Sequence, residues 1–233
     1  MPHPSHTLVP EREQVAAVCR RLADDGLVLG TAGNVSVRAG ELIAVTATGA
    51  SFAELTTEQV SVVDSGGRLV AGEYAPTSEL GLHLELYRRY QTGAIVHTHA
   101  PMAVALACVL DELPVIHYQL LGLGGAVRVA AYHTFGTPEL AQAVSDALDG
   151  RYAALMSNHG AVTHAPTVDK ALEHALLLEW GCQIYWHAAA LGTPRVLDEE
   201  QQQAVAAQAR ALNYGATRPG APPAGERSRA DRP

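Results

Sequence analysis

Short apolar runs alternate along this chain with longer segments of helical period, and this alternation limits the fold to the α/β class. Each run is four to six residues long, and most are bounded by small or polar turn residues, so they are typical of buried strands. Because short turns separate the early runs and helices separate the later ones, we expect a single α/β domain. Its central sheet should be mixed, largely antiparallel, with helices on both faces. The predicted strands are ELIAVT (41–46), VSVV (60–63), AIVHTH (94–99), VRVA (127–130) and YAALMS (152–157).

Six further segments are predicted to be helices: 11–26 and 78–90 carry apolar residues at intervals of three and four positions, and the others are indicated by prolines, caps or a long apolar run. Thr167 and Asp198 stand directly before two of them and are suited to cap their first turns. We expect residues 1–217 to form the domain and the Pro-, Gly- and Arg-rich tail 218–233 to be disordered, because the tail offers almost nothing to bury. The predicted helices are 11–26, 78–90, a segment opened by Pro101, 138–150, 168–191 and 198–213.

The net charge and the cysteines limit which partners the protein can bind and in which cellular compartment it is expected. The net charge is −8, with only 16 Lys plus Arg and no basic run, so we expect neither nucleic acid nor a membrane as partner. The longest apolar stretch, 102–110, is far shorter than the ~20 residues that cross a bilayer. The three cysteines form no CxxC pair, which favours free thiols and a soluble, cytoplasmic protein. The sole lysine, Lys170, begins a helix and is poorly placed for Schiff-base chemistry.

Two histidines separated by one residue end the run 94–99. Side chains alternate along a strand, so His97 and His99 are expected on one face and Thr98 on the other. With ~6.5–7 Å between their Cα atoms, two such imidazoles can close on one divalent ion. Two partly exposed histidines at a strand end would leave the same pattern, so the motif alone does not decide between these readings.

A third histidine follows another apolar run. His159 comes directly after YAALMS and Asn158, and Gly160 allows the backbone a sharp turn there. Since ligands gather at strand ends in α/β sheets, we predict that His159 completes a three-histidine site of the kind found for catalytic zinc. Glu79, expected in the first turn of its helix, is a candidate fourth ligand or base, or else an acid favoured by the helix dipole. His83, one turn after Glu79, is expected to pack or to contact a ligand from behind, and the remaining histidines to pack, to lie at the surface or to lie in the N-terminal segment.

Two turns and one helix start are rich in glycine and small hydroxyl residues. Backbone N–H groups at such positions bind anions without cationic side chains, although ordinary turns use the same residue types. The sequence therefore leaves an anion site and plain turns both open. The segments are TAGN (31–34), Thr48-Gly49 and Thr77-Ser78.

Taken together, these segments resemble the class II aldolase/adducin-head family. The resemblance covers roughly residues 8–217, and its motifs occur in the family's order and approximate spacing. Ala32, Ala47 and Thr77 depart from the serine, proline and serine that are more usual in the family. Glu at position 79 is the aldolase residue, where the epimerases carry Asp. The matching stretches are TAGNVS (31–36), TATG (46–49), PTSE (76–79), VHTH (96–99), NHG (158–160), IHY (116–118) and Tyr214-Gly215.

The resemblance implies a metal-dependent site in which Zn²⁺, with Mn²⁺ or Co²⁺ as alternatives, binds His97, His99, His159 and Glu79. It also implies a homotetramer with the site at the subunit interface. The catalytic residues would be Glu79 for proton transfer, Tyr118 as the acid contributed by a neighbouring subunit, and Tyr214 at the aldehyde end. The substrate phosphate would be bound by Thr31, Gly33, Asn34, Thr48, Gly49, Thr77 and Ser78.

The expected activity is retro-aldol cleavage of a ketose 1-phosphate, such as L-fuculose 1-phosphate, to dihydroxyacetone phosphate and an aldehyde. A decarboxylase of a 3-oxo-sugar-acid phosphate and a sugar-phosphate dehydratase are the nearest alternatives, since both reactions suit the same scaffold. A 4-epimerase is disfavoured by Glu79. A non-catalytic, adducin-like module is disfavoured because the complete ligand set is present.

Overall fold

The computed structural model describes residues 7–215, and among these residues nine strands form one sheet. All neighbouring strands pair antiparallel except β7 and β8, which are parallel, so the expected mixed, largely antiparallel sheet is confirmed. The strands are β1 (Asn34–Ala39), β2 (Leu42–Thr46), β3 (Val60–Asp64), β4 (Leu69–Ala71), β5 (Ala94–Thr98), β6 (Glu112–Leu113), β7 (Val127–Ala130), β8 (Ala153–Met156) and β9 (Gly160–Ala165). Their spatial order is β4-β3-β2-β1-β5-β9-β8-β7-β6.

Helices cover both faces of this sheet, as predicted. Thr167 caps α5 by accepting a hydrogen bond from the Lys170 N–H. None of the helices within 7–215 is long and apolar enough to cross a membrane. The helices packed with the sheet are α1 (Val9–Asp24), α2 (Leu80–Arg89), α3 (Pro101–Ala107), α4 (Pro138–Ala147) and α5 (Val168–Leu191).

The two faces of the sheet carry separate apolar cores because side chains alternate along each strand. In β5, Val96 packs into the core formed with α1, α3 and α5. Its neighbour Ile95 packs into the core formed with α2 and α4. His97 lies two residues beyond Ile95, so it shares the face of the sheet that α2 covers.

Three features of the sheet and its helices differ from the sequence expectations. TAGNVS was expected to be a turn, yet β1 begins at Asn34 within it. Asn34 and Ser36 alternate along β1 with Val35 and Val37, and all four are buried, so both faces of the strand are covered although one of them is polar. The strands β4, β6 and β9 were also not predicted. Finally, α2 begins at Leu80, and Glu79 is its N-cap residue rather than part of its first turn.

The described residues divide into two compact units after Leu197. The second unit holds one further helix, α6 (Glu199–Leu212). Asp198 caps it by accepting a hydrogen bond from the Gln201 N–H, and the Gln201 side-chain oxygen accepts one from the Asp198 N–H, as expected for a helix start. The expected domain end at 217 and the expected tail 218–233 lie outside the described residues and stay predictions.

Candidate metal centre and substrate cavity

The three histidines singled out in the sequence come together at one end of the neighbouring strands β5 and β9. His97 is fully buried in β5, His99 follows two residues later, and His159 lies in the turn between β8 and β9. The pairing of Thr98 with Ala161 brings the two strand ends side by side. The nitrogen atoms that could bind a metal all lie within 4.8 Å of one another. The ring centroids are 4.8 to 5.0 Å apart.

Glycine makes this close approach of backbone and imidazoles feasible. A Cβ atom on Gly160 would lie 2.3 Å from the Thr98 carbonyl oxygen and 3.2 Å from His97 Cε1. A Cβ atom on Gly33 would lie 2.7 Å from the His97 carbonyl oxygen. Neither of the two distances to a carbonyl oxygen is compatible with an unshifted backbone. Glycine is therefore required at both positions, where the strands converge.

The imidazole of His97 is oriented by a backbone hydrogen bond. Its Nδ1 lies 2.9 Å from the Ala161 carbonyl oxygen, an acceptor, so the ring proton sits on Nδ1 and the lone pair on Nε2. That Nε2 atom lies 3.1 Å from His99 Nε2. Burial lowers the pKa of His99 to about 4, with further lowering from His97 and His159. Burial also lowers the pKa of His159. These two rings are therefore neutral near pH 7, the form that binds metals.

Glu79 places its carboxylate against these imidazoles. Oε2 lies 3.1 Å from His97 Nε2 and accepts a hydrogen bond from Asn34 Nδ2 at 2.9 Å. Oε1 lies 3.6 Å from His159 Nε2 and has no hydrogen-bond partner among the described residues, although it is buried. Burial by itself raises the pKa of Glu79, whereas the hydrogen bond from Asn34 lowers it.

This donor set fits a divalent cation. A buried carboxylate oxygen without a partner is costly unless a positive charge compensates it. Three imidazole nitrogens and a carboxylate oxygen are ligands that zinc and related transition metals accept. The orphaned Glu79 Oε1 and the lone pair on His97 Nε2 therefore point to such an ion, which these four side chains would hold.

A cavity of about 300 Å³ lies beside Glu79, His99 and His159. Its lining includes every residue expected to bind the substrate phosphate, so the three separate turns converge on one space. The side-chain amide of Asn34 is engaged by Glu79 and His83, which the sequence did not indicate. The seven residues are Thr31, Gly33, Asn34, Thr48, Gly49, Thr77 and Ser78.

Four further residues line the cavity without having been singled out in the sequence. Tyr132, His133 and Phe135 lie in the loop after β7, and Asn158 precedes His159 with a positive φ of 54°. Phe135 is one of only two phenylalanines in the chain and is 64% exposed. The sequence signal that could have indicated Phe135 is an aromatic residue next to Gly136 in a polar loop. His133 was expected to pack or to lie at the surface.

The two candidate catalytic tyrosines are Tyr118 and Tyr214. Tyr118 begins a 3₁₀ helix, Tyr118–Leu123, and is not among the residues that line the cavity. Tyr214 belongs to the second unit, after α6. The structure therefore does not test their expected roles. Lys170, disfavoured for catalysis, is exposed on α5 and pairs with Glu173 at 2.7 Å.

Comparison with known proteins places the chain in a family. The model of the Class II Aldolase and Adducin N-terminal domain matches residues 13–186. The chain belongs to this family. A 5-deoxy-D-ribulose 1-phosphate aldolase from Bacillus thuringiensis serovar kurstaki is 36% identical over 202 residues, covering 85% of this chain and 95% of that protein.

Two other members of the class II aldolase family are similarly close. A 5-methylthioribulose-1-phosphate/5-deoxyribulose-1-phosphate aldolase from Rhodospirillum rubrum is 35% identical over 196 residues, covering 83% of this chain and 88% of that protein. The solved structure of an L-fuculose 1-phosphate aldolase has a TM-score of 0.83 at 34% identity and covers 87% of this chain and 97% of that chain. The single α/β domain with its mixed sheet is thus the fold of class II aldolases, a metal-dependent family, and the three histidines could bind the metal.

Proposed function

We propose that this chain is a metal-dependent aldolase that cleaves a ketose 1-phosphate to dihydroxyacetone phosphate and an aldehyde. One observation carries the proposal: the unpartnered Glu79 Oε1 lies 3.6 Å from a metal-binding imidazole and lines the cavity that the small-residue turns enclose. A proton-accepting oxygen, a metal centre and an anion-binding surface thus face one space, as aldol chemistry requires.

The side chains divide the work of this reaction. When bound, a divalent cation, zinc by this donor set with manganese or cobalt as alternatives, supplies Lewis acidity and offsets the negative charge that develops as the carbon–carbon bond breaks. Glu79 Oε1 exchanges a proton with the dihydroxyacetone phosphate fragment. Backbone N–H groups and hydroxyls of the three turns hold the phosphate and fix which carbon faces Glu79. In the synthetic direction, Tyr118 of a neighbouring subunit protonates the aldehyde oxygen, and in cleavage the same group accepts the proton of the hydroxyl that becomes the aldehyde; Tyr214 assists there.

Aromatic side chains at the cavity favour a substrate with an apolar end. Tyr132 and Phe135 line the cavity together with the polar turns. Such rings offer apolar contact area to a terminal carbon that lacks a hydroxyl group. Two of the relatives described above are named as aldolases of 5-deoxyribulose 1-phosphate. We therefore include 5-deoxy-D-ribulose 1-phosphate beside L-fuculose 1-phosphate as a proposed substrate.

The proposed assembly is a homotetramer with the site at a subunit interface. Tyr118 is 40% exposed and does not line the cavity of its own chain, so a neighbour's cavity is the place where it would act. The proposed compartment is the cytoplasm, a reducing environment in which the three free cysteines would stay reduced.

The test is a substrate panel on the zinc-loaded protein. We expect 5-deoxy-D-ribulose 1-phosphate or L-fuculose 1-phosphate to be cleaved to dihydroxyacetone phosphate. The product is detected by coupling its enzymatic reduction to the oxidation of NADH. Glu79→Gln protein serves as the control, because it keeps the shape of the site and removes the base. Release of carbon dioxide from a 3-oxo-sugar-acid phosphate, without aldol cleavage, would replace the proposal with a decarboxylase. No product from the two ketose phosphates would overturn it.

A further inference from the structure

A continuous line of buried hydrogen bonds leads from the Glu79 carboxylate into the core between β1 and α2. Asn34 Nδ2 lies 2.9 Å from Glu79 Oε2, and Asn34 Oδ1 contacts His83 Nε2. His83 Nδ1 lies 2.7 Å from Ser36 Oγ, which in turn lies 2.8 Å from Tyr87 Oη. All five side chains are buried, and His83 and Ser36 are 0% exposed. The strand β1 and the helix α2 supply every member.

Chemistry fixes the direction of each hydrogen bond in this line. The Glu79 carboxylate only accepts, so the Asn34 amide must turn its NH₂ group toward Glu79 and its carbonyl oxygen toward His83. His83 must then carry its proton on Nε2, and its Nδ1 accepts from the Ser36 hydroxyl. Ser36, having donated, accepts from Tyr87. Burial, with a further effect of His97, lowers the pKa of His83 to about 3, so the ring is neutral and has one N–H.

The orientation of the Asn34 amide decides the state of Glu79. In the opposite orientation, the Asn34 carbonyl oxygen would face Glu79 Oε2 as a second acceptor, and the two oxygens would repel each other. The carboxylate would then turn away from its position beside His97. His83 prevents this because its Nε2–H is satisfied only when the Asn34 carbonyl oxygen faces it.

We propose that His83 is a positioning residue, which acts through Asn34 to hold Glu79 Oε2 beside His97 and to leave Oε1 as the proton-transferring atom. The inference rests on the proposed aldolase function, in which Glu79 moves the proton. It assigns His83 and the side chain of Asn34 a part in the reaction that packing alone would not give them.

The tautomer of His83 can be measured without any activity. In metal-free protein with ¹⁵N-labelled histidine, a long-range ¹H–¹⁵N spectrum distinguishes Nδ1–H, Nε2–H and doubly protonated rings. The His83 signals are assigned by their absence from His83→Gln protein. We expect the neutral Nε2–H form at pH 7. A neutral Nδ1–H ring or a charged ring would overturn the proposal, because neither fits the donor order described above.

A second measurement, of proton exchange, tests whether His83 affects the reaction. Zinc-loaded protein with dihydroxyacetone phosphate in D₂O should exchange one carbon-bound hydrogen through Glu79, with no aldehyde needed. In His83→Phe, which keeps a ring but no N–H, we expect the exchange kcat to fall by about 10–100-fold, with KM and zinc content unchanged. His83→Gln can still donate near the Nε2 position and should recover most of the rate.

His164→Phe is the matched control, because His164 is a buried histidine bonded to the Arg151 carbonyl and remote from Glu79. Its exchange rate should equal that of the unmodified protein. Equal rates in His83→Phe and unmodified protein would overturn this inference and leave the aldolase proposal intact. No exchange in the unmodified protein would count against the aldolase proposal itself, and the tautomer measurement would still decide the position of the His83 proton.

Discussion

Two groups of wholly or partly buried histidines lie on or beside the sheet and differ in their chemistry. In the first group, His97 Nε2 faces His99 Nε2 and a carboxylate. In the second group, His164 Nε2 bonds the Arg151 carbonyl oxygen at 2.9 Å, and His174 Nδ1 bonds the His164 carbonyl oxygen at 3.1 Å. His164 also stacks on Tyr90, and His174 packs against Tyr152 with its ring tilted by 32°.

The difference lies in where the ring nitrogens find partners. The second group satisfies its N–H donors with backbone carbonyls and fills its surroundings with aromatic rings, which leaves no shared space for an ion. In the first group His97 Nδ1 is bonded to a backbone carbonyl, whereas one nitrogen of each ring converges on the other two rings, and Nε2 of His97 and of His159 also faces Glu79. Burial alone therefore does not make a histidine a ligand, whereas converging lone pairs do.

The largest expected effect comes from removing an imidazole of the first group. His97→Ala deletes the ring that contacts both His99 and Glu79. We expect loss of bound zinc, measured by elemental analysis, together with loss of all detectable aldol cleavage. Full zinc occupancy and normal turnover in this variant would contradict the claim that the first group binds a metal and the second does not.

Glu79→Gln should separate metal binding from proton transfer. The amide keeps one oxygen near His97 but cannot serve as the base, so kcat should fall by about 10²–10⁴-fold. Zinc content should stay near that of the unmodified protein. Steady-state cleavage rates and metal analysis on the same samples check both statements, and an unchanged kcat would exclude Glu79 as the proton-transferring group.

Gly160→Ala should weaken the first group through the backbone. The new Cβ would meet the Thr98 carbonyl oxygen at 2.3 Å and force β9 away from β5. We expect zinc affinity to fall by about 10-fold or more, comparable to the loss of an orienting partner, as measured by competition with a chelator. Gly81→Ala is the control, because nothing lies within 4 Å of its Cβ position. Equal affinities in both variants would contradict the argument.

His164→Phe should affect stability and leave the chemistry intact. The substitution leaves the Arg151 carbonyl oxygen without its donor, which costs about 1–3 kcal/mol of unfolding free energy. Urea unfolding measures this loss, while kcat for aldol cleavage should stay unchanged. A loss of activity comparable to that of His97→Ala would mean that the two groups are functionally linked.

The smallest expected effect is a pH dependence of stability from the second group. Burial lowers the pKa of His164, with its bond to Arg151 opposing, and burial also lowers that of His174, which senses Lys170 and Glu173 as well. The unfolded chain therefore binds more protons below about pH 6.5, and stability falls as the pH drops through that value. The stability difference between unmodified protein and His164→Phe should narrow between pH 7 and pH 5.5. A constant difference would show that His164 does not contribute.

The local elements were predictable because their signals are local. The long apolar run and the N-cap candidate Thr167 predicted α5 at its observed bounds, 168–191, and strand alternation predicted that His97 and His99 share a face. By contrast, the sequence predicted a turn where β1 lies, because Asn34 and Ser36 are residue types typical of turns, although Val35 and Val37 alternate with them. Asn34 and Ser36 can be buried in a strand because His83 and Tyr87 of α2 are their hydrogen-bond partners, which the local sequence does not indicate.

The candidate site shows the same division. The residue types and motif order pointed to histidine ligands, a carboxylate and anion-binding turns, since these chemistries can be read from side chains one at a time. The sequence could not indicate that Tyr132 and Phe135 line the cavity, because their loop approaches the turns only through the fold. Nor could it indicate that the Asn34 side chain serves Glu79.

The sequence by itself determined which elements form and which donor atoms are available, because backbone geometry sets the direction of each side chain within a few residues. Only the tertiary structure decided which donors meet. The pairing of β5 with β9 brings His97 to His159, and the pairing of Asn34 with His97 brings β1 to the carboxylate of Glu79. Such contacts depend on strand order and register, which are set by the packing of the whole sheet.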